Sequence, residues 1–523
     1  MRSRDDEEIA LVNDSTVAPE RSRKVSPQLR RVGIALAVAA SIAGVVVGIW
    51  WGARSGVVDG ISAGVAMLLA AGVLFTVLTL PGKTWQGLLL GIGIPFAAMM
   101  AWTYLSEPIY VWTVTGVVGL VALVATFPWW YRWKDVLKLG GFWAAVALWV
   151  TGTISAAVLV KVGTTAGRVV YGGYAIVVAL LIAQTILKRH RDISVGIAAG
   201  LMICHAALYA FGCQYVFETD EYHYTSDSAW GYAQASRFWG GPLLVYHPNF
   251  IAMTGLLAAI RIGADSKFAP WQRWVALLNG ALLLYIADSR TSLLMAGVAS
   301  VTYGLLYIWR NGLPKFRFWT WFATDRARRV LAHALIPLLL TMSVFTAAGG
   351  TDMLFKARYG PDDATEEDDS RDVNMALSGR VEIWGMIFED FRQDTVVEKA
   401  LGNTDFPRGE IHRYKDPNDP RYENQAELSA DNVPVGALRR GGVIGLLLIA
   451  AGIALMAWRS TRGAPIWIPT VTFAALASMI TEDELVGTTP LWMLVFAGEV
   501  WMYYRTQDRG EPVAEQESAP VPA

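Results

Sequence analysis

Polar residues suited to binding a phosphorylated substrate lie at three places, each beside a long apolar stretch. One place holds Arg290, between two such stretches, where a guanidinium could grip phosphate in a bidentate fork. Another is a long polar segment with Arg380, in the sequence Ser-Gly-Arg, and with Asp431-Asn432 near its end. A carboxylate at a helix start could act as a general base. These residue types predict chemistry on one outer face of the protein.

The remaining place is the start of an apolar stretch, Tyr246-His247-Pro248-Asn249. Proline suits the first turn of a helix, so His247 and Asn249 either complete an interrupted helix start or contact substrate. Structural alternatives exist at the other two places as well. Asp288 could pair with Arg290, and Asp288 or Ser289 could cap the next helix. Asp431, followed by Pro434, is also a suitable helix N-cap.

The composition indicates a membrane protein. Of the 523 residues, 54% are hydrophobic and 17% are charged, whereas soluble chains carry about 25% charged residues. A net charge of -1 argues against a nucleic-acid partner, since no excess of Lys and Arg is available to neutralise phosphates. Cys204 and Cys213 would lie roughly 13 Å apart on one helix, too far for a disulfide. They are interpreted as small apolar core residues.

Apolar stretches position the polar sites. A helix needs about 20 apolar residues to cross a bilayer, and this rule predicts an all-α, polytopic bundle of about 14 spans. The stretches centre near Val32–Trp50, Val58–Leu80, Leu88–Tyr104, Val111–Phe127, Phe142–Val160, Val169–Leu187, Ile193–Phe211, Leu243–Ile262, Trp271–Ala287, Ser292–Ile308, Val330–Thr346, Val443–Trp458, Ile466–Ile480 and Leu491–Tyr503.

Basic clusters all fall on connections of the same side, which the positive-inside rule makes cytoplasmic. The predicted organisation is a cytoplasmic tail (1–31), a helix bundle (32–348), a large extracytoplasmic loop (349–440), C-terminal spans (441–503) and a disordered cytoplasmic tail (504–523). The loop contains an amphipathic pattern from Val381 to Phe391. The loop is therefore predicted to be partly helical, with both termini in the cytoplasm of a multi-pass protein of the cell membrane.

The arrangement resembles the O-antigen ligase and O-antigen polymerase superfamily of membrane glycosyltransferases. The resemblance covers roughly Gly240 to Ala457 and rests on short motifs, which are His247-Pro248-Asn249, Ser289-Arg290, Ser378-Gly379-Arg380 with Ile383-Trp384, Leu401-Gly402, and the segment from Asn432 to Gly442-Val443-Ile444-Gly445. It implies transfer of a polyprenyl-diphosphate-linked glycan to a glycan, lipid or protein acceptor, in cell-envelope polysaccharide biosynthesis.

Carried onto this chain, the resemblance assigns Arg290 and Arg380 to the diphosphate, without a metal or other cofactor. Asp431 would act as catalytic base, with His247, Asn249, Ser289 and Asn432 contacting substrate. One departure is that ligases commonly have His-Asn where this chain has Asp431-Asn432. If that histidine is a catalytic base or orients the acceptor, then Asp431 would replace it, His412 would reach in, or the activity would be altered. The departure slightly favours a repeat-unit polymerase or a divergent transferase.

Two other function classes remain open. A lipid-linked sugar flippase or solute carrier would place ionisable residues near the bilayer midplane, and such residues are scarce here. A metal-dependent transferase could use Glu482-Asp483-Glu484 as ligands for Mg or Mn. The simpler interpretation of that acidic run is a solvated turn between two short spans.

Overall fold

Helices form almost all of the structure. This is a computed structural model, and it describes residues 57–104, 133–158, 162–212, 238, 240–241, 244–287, 289–311, 380–402, 411–412, 427–428, 432–461, 464–482 and 490–508, with scattered residues between 35 and 54. The first half of the chain contributes α1 (Val57–Thr79), α2 (Trp85–Tyr104), α3 (Trp133–Val136), α4 (Gly140–Val158), α5 (Val162–Arg189) and α6 (Ser194–Gly212).

The second half contributes two short hairpins and eight further helices. These are β1 (Gly240–Gly241), β2 (Leu244–Val245), α7 (Pro248–Gly263), α8 (Pro270–Ala287), α9 (Arg290–Asn311), α10 (Arg380–Gln393), α11 (Val396–Leu401), β3 (Ile411–His412), β4 (Glu427–Leu428), α12 (Val433–Thr461), α13 (Trp467–Ser478) and α14 (Pro490–Asp508). Both hairpins are antiparallel, and Gly240 pairs with Val245 in one and Ile411 with Leu428 in the other.

Most of the predicted apolar stretches coincide with a helix. Val111–Phe127 and Val330–Thr346 lie outside the described residues, and Val32–Trp50 is described only at scattered helical positions. The amphipathic helix predicted from Val381 to Phe391 is confirmed as α10. The apolar run predicted to begin near Val443 starts directly after a kink at Gly442, and α12 continues on the other side of that kink back to Val433. A side-chain cap at Asn432 starts the helix before the apolar run does.

Glycines bring α2 and α6 into close contact. Gly87 and Gly91 of α2 face Gly196 and Gly200 of α6, and a Cβ atom on Gly200 would lie 2.6 Å from the carbonyl carbon of Gly91. Each pair is spaced four residues apart, the small-xxx-small pattern with which membrane helices pack closely. Cys204, one turn further along α6, is a free and buried thiol, as predicted for a small core residue.

Arg261, at the C-terminal end of α7, is buried at a junction between helices. It donates to Ser194 Oγ at 2.6 Å and pairs with Asp265 at 2.9 Å and Asp192 at 3.0 Å. Its guanidinium also lies 3.9 Å from the ring centroid of Trp467. Buried arginine of this kind needs paired charges and acceptors. Arg261 therefore links α6, α7 and α13.

Two of the described helices are long and apolar enough to cross a bilayer, over Thr291–Ile308 and Val433–Ser460. Only 33% of the first segment and 39% of the second are buried, whereas the core helix of a soluble protein is mostly buried. Large apolar side chains such as Leu305 and Leu447 point outward. Outward-facing apolar surface of this extent favours contact with lipid. The count of about 14 spans stays a prediction.

Candidate functional site

The start of α7 carries the predicted His247-Pro248-Asn249 sequence. His247 is the N-cap, and its Nδ1 accepts the backbone N–H of Asn249 at 3.2 Å, while Pro248 occupies the first helical position. Asn249 is buried and donates through Nδ2 to Glu482 Oε1 at 2.6 Å. The capping interpretation is therefore confirmed for His247, whereas Asn249 makes a long-range contact with the turn after α13.

The start of α9 holds the predicted Ser289-Arg290 pair. Ser289 Oγ accepts the backbone N–H of Ser292 at 3.3 Å and the Ser292 hydroxyl at 2.9 Å, which is an N-cap. Ser289, Thr291 and Ser292 are all buried, so this first turn is fixed on several sides. Arg290 is the first residue of α9. Its side chain and all of Asp288 lie outside the described residues.

The start of α12 is capped by Asn432. Its Oδ1 accepts the backbone N–H of Val435 at 2.9 Å, and its Nδ2 donates to the Ile480 carbonyl at 2.9 Å. The predicted cap at Asp431 is thus displaced by one residue, because the amide side chain of Asn432 can both cap the helix and donate to the turn. Asp431 itself lies outside the described residues.

All three of these helix starts form hydrogen bonds with residues 479–482, the turn that follows α13. Glu482 Oε1 accepts from Asn249 at 2.6 Å and from the Thr291 hydroxyl at 3.1 Å. The Thr291 and Thr481 hydroxyls lie 2.7 Å apart. Glu482 is only 7% exposed. The expectation of a solvated turn is therefore wrong for Glu482, because donors from two helix starts enclose its carboxylate.

Three helix N-termini consequently meet at this turn, those of α7, α9 and α12. Each helix N-terminus carries a partial positive charge from its unpaired backbone N–H groups. A buried carboxylate is costly unless donors and positive charge surround it, and here both are present. The site is thus an environment that stabilises negative charge.

Helices α10 and α11 pack onto the beginning of α12. Arg439 of α12 is buried, with Nη2 3.3 Å from Asp390 and Nη1 3.9 Å from Asp394. Burial raises the pKa of the Asp390 carboxyl, and the charge of Arg439 opposes that shift. Within the described part of the chain, Arg439 Nε and Nη1 have no hydrogen-bond acceptor. Arg380 is the first residue of α10, and its side chain lies outside the described residues.

Two glycines, Gly402 and Gly442, allow α11 and α12 to approach each other closely. Gly402, the C-cap of α11, has φ 89° and ψ 165°, and Gly442, at the kink of α12, has φ 60° and ψ -161°. Backbone of this kind is essentially restricted to glycine. A Cβ on Gly402 would lie 2.5 Å from the carbonyl carbon of Arg440, and one on Gly442 would overlap the backbone of Ala400.

Asn249, Ser289 with Arg290, and Asn432 are therefore gathered around the turn 479–482, while Arg380 lies on helices docked to α12. His412 pairs with Glu427 in the second hairpin. Among the residues that the structure describes, no group of three or more His, Cys, Asp or Glu could hold a metal ion. Asp483 and Glu484, named above as metal-ligand candidates, lie outside them.

Sequence reasoning missed the shared-acceptor role of Glu482 and the contributions of Thr291 and Arg439. A local signal existed for Glu482, which is the first charged residue after the apolar residues of α13. Charged residues at such positions tend to pair or to serve a substrate pathway. No local signal marks Thr291 or Arg439 as a site residue, because their partners lie far away along the chain.

No curated protein sequence matches the chain. The family model described as O-antigen ligase matches residues 275–450. That range includes Arg290, Arg380 and Asn432, together with α9, α10, α11 and the first part of α12. It excludes Asn249 and Glu482, which reach the site from α7 and α13. Over residues 275–450, the chain is therefore similar to the O-antigen ligase family.

Proposed function

We propose that the protein is a membrane glycosyltransferase that transfers a glycan from a polyprenyl diphosphate carrier to an acceptor on the extracytoplasmic side. The family match indicates ligase or polymerase chemistry in polysaccharide biosynthesis. The observation that carries the proposal is the meeting of three helix N-termini beside Arg290. A guanidinium at such a helix start favours the charge that develops on a departing diphosphate.

In this proposal the acceptor hydroxyl attacks the anomeric carbon of the sugar that is bound to the carrier. A new glycosidic bond forms, the bond between the anomeric carbon and the diphosphate oxygen breaks, and the diphosphate leaves on its lipid. Asp431 takes the proton of the acceptor hydroxyl as general base. Arg290 and Arg380 stabilise the negative charge of the leaving diphosphate without a metal or other cofactor.

The remaining predicted residues have supporting roles in this scheme. Asn249, Ser289 and Asn432 use their described hydrogen bonds to fix helix starts, and so they stabilise the helix ends that form the site. His247, which caps α7, is half-buried and lies next to Asn249, and we assign it a contact with the glycan. The site opens to the extracytoplasmic side in this proposal, and both chain termini are cytoplasmic.

Ligation and repeat-unit polymerisation are both compatible with this chemistry, since only the acceptor differs. The glycans of a cell that lacks the protein distinguish them. Accumulation of full-length polymer on the carrier identifies a ligase, whereas accumulation of single repeat units identifies a polymerase. A flippase or carrier would instead move the lipid-linked sugar across vesicles without forming any covalent product.

The direct test is substitution of the two arginines in cells that lack the native protein. We expect Arg290→Ala and Arg380→Ala each to reduce transfer by about 100-fold or more, the loss typical of removing a donor that stabilises transition-state charge. The measurement is the ratio of transferred glycan to carrier-linked glycan, normalised to the amount of protein in the membrane.

Arg392→Ala is the matched control, because Arg392 also lies on α10 but is 77% exposed and pairs only with Glu389 among the described residues. Such exposed pairs contribute little, so this variant should transfer like wild type. Wild-type transfer by both Arg290→Ala and Arg380→Ala would contradict the roles assigned to these arginines.

A further inference from the structure

Glu482 has the geometry of a residue that acts through its neighbours. It is buried in the turn after α13, and one oxygen, Oε1, accepts from two separate helix starts. The donors are Asn249 of α7 and Thr291 of α9, each the second residue of its helix. A single carboxylate oxygen therefore links three elements that are distant along the chain.

The hydrogen bonds form a chain with one consistent direction. If the Thr481 hydroxyl donates to the Thr291 oxygen, the Thr291 hydroxyl can donate to Glu482 Oε1, and Asn249 Nδ2 donates to the same atom. The turn is closed by its own backbone, since the Glu482 N–H donates to the Ser478 carbonyl at 2.8 Å. Such a network has few alternative arrangements, because each donor is buried and needs its acceptor.

The residue directly before Thr291 is Arg290, the first of α9. On its other side, Ser289 is fully buried and caps the helix through Ser292. The backbone of Arg290 is thus fixed by hydrogen bonds on both sides. Displacements of about 1 Å in a positioning element can lower a reaction rate on the order of 100-fold.

We infer that Glu482 is a positioning residue for the donor site: as shared acceptor of Asn249 and Thr291, it fixes the first turn of α9 and thereby holds Arg290 against the diphosphate. This inference rests on the proposed function, with Glu482 as the residue that fixes the geometry of the donor site. Glu482 neither takes a proton nor contacts the glycan. Its effect passes through the side chain of Thr291 to the helix that begins at Arg290.

The test compares variants that differ in whether an acceptor remains at position 482. Glu482→Gln keeps an amide oxygen that can accept from both donors, whereas Glu482→Leu removes the acceptor. Thr291→Val removes one donor with little change in volume. The measurements are the affinity of each variant for polyprenyl diphosphate in lipid nanodiscs, with polyprenyl monophosphate as a comparison, and the thermal unfolding temperature.

We expect Glu482→Leu and Thr291→Val to weaken polyprenyl diphosphate binding by about 10- to 100-fold, the range found when a partner that orients a metal ligand is removed. Their combination should weaken it no further than Glu482→Leu alone, because both remove the same hydrogen bond. Glu482→Gln should stay within about threefold of wild type, since a neutral oxygen still accepts both hydrogen bonds.

The matched control is Thr470→Val on α13. Thr470 is also buried, but among the residues that the structure describes its hydroxyl donates only to the Ile466 carbonyl one turn earlier, at 2.7 Å. It should bind polyprenyl diphosphate like wild type, which separates loss of a buried hydroxyl from loss of the shared acceptor. If Glu482→Leu fails to fold, Thr291→Val carries the comparison, because it removes one donor and leaves the carboxylate with Asn249.

Each result supports or overturns the inference. Wild-type affinity in Thr291→Val, while the native protein binds polyprenyl diphosphate, overturns the positioning role and leaves the proposed function standing. Loss in Glu482→Gln as large as in Glu482→Leu also overturns it, because the charge itself would then be required. Failure of the native protein to bind polyprenyl diphosphate overturns the proposed function, and the inference with it.

Discussion

At the scale of single residues, Arg439 joins α10 to α12 through its ion pairs. It is buried between Asp390 and Asp394, with distances of 3.3 and 3.9 Å. Removal of one partner from a buried charge group is costly because the remaining charges lose their compensation. The two aspartates lie near the end of α10, the helix that begins with Arg380. By holding that end, Arg439 also helps to fix the position of Arg380.

We therefore expect Arg439→Gln to loosen α10 and α11 from α12 and to reduce glycan transfer. Burial raises the pKa of Asp390, and loss of the opposing Arg439 charge raises it further. A raised carboxyl pKa means that the docked state loses stability as pH rises above the ordinary value of 3.8. Hydrogen exchange of the α11 amides should accordingly be faster in this variant, and the difference should grow with pH.

Glu389 provides the comparison for that experiment. Its ion pair with Arg392 is exposed, and exposed pairs of this kind contribute about 0–1 kcal/mol. Glu389→Gln should therefore leave the hydrogen exchange of α11 unchanged or slightly slower over the same pH range, because the Glu389 charge itself raises the pKa of Asp390. Equal exchange in Arg439→Gln and the native protein would show that the ion pairs do not hold α10 in place.

At the scale of elements, the sequence predicted the helices well and their contacts poorly. Apolar runs and local caps are short-range signals, and they placed α9 and α10 within a few residues. The site is different, because Asn249 and Glu482 are 233 positions apart and nothing local indicates which helix starts will meet. The kink at Gly442 was also hidden, since apolar residues follow it as in any continuous span.

That kink gives a prediction about how α11 and α12 fit together. We expect Gly442→Ala to destabilise their contact by about 1–3 kcal/mol from backbone strain alone, with more from the overlap between its Cβ and the Ala400 backbone. Limited proteolysis should cut between α10 and α12 faster in this variant, and transfer should fall because Arg380 loses its support.

Gly385→Ala is the matched control for this substitution. Gly385 lies within α10 and has open space where a Cβ would be added. Alanine favours a helix by about 1 kcal/mol over glycine, so this variant should resist proteolysis at least as well as the native protein. If Gly442→Ala behaves in the same way, the interlocking of α11 and α12 is not required for the fold.

At the scale of the whole molecule, the proposed chemistry depends on which side of the membrane the site faces. Basic residues of the connections predict that α10 and α11 lie outside and that the turn between α7 and α8 lies in the cytoplasm. Two exposed positions suit a labelling experiment, since Val396 of α11 is 84% exposed and Ser266 lies in that turn.

In a background with Cys204→Ala and Cys213→Ala, we expect Val396→Cys to react with a membrane-impermeant thiol reagent in intact cells. Ser266→Cys should react only after the membrane is permeabilised, because it lies beyond the opposite ends of α7 and α8. The extent of labelling measures the sidedness of each position directly. Labelling of Val396→Cys only after permeabilisation would place Arg380 in the cytoplasm. The donor glycan would then have to be used on the inner face, which contradicts transfer at an extracytoplasmic site.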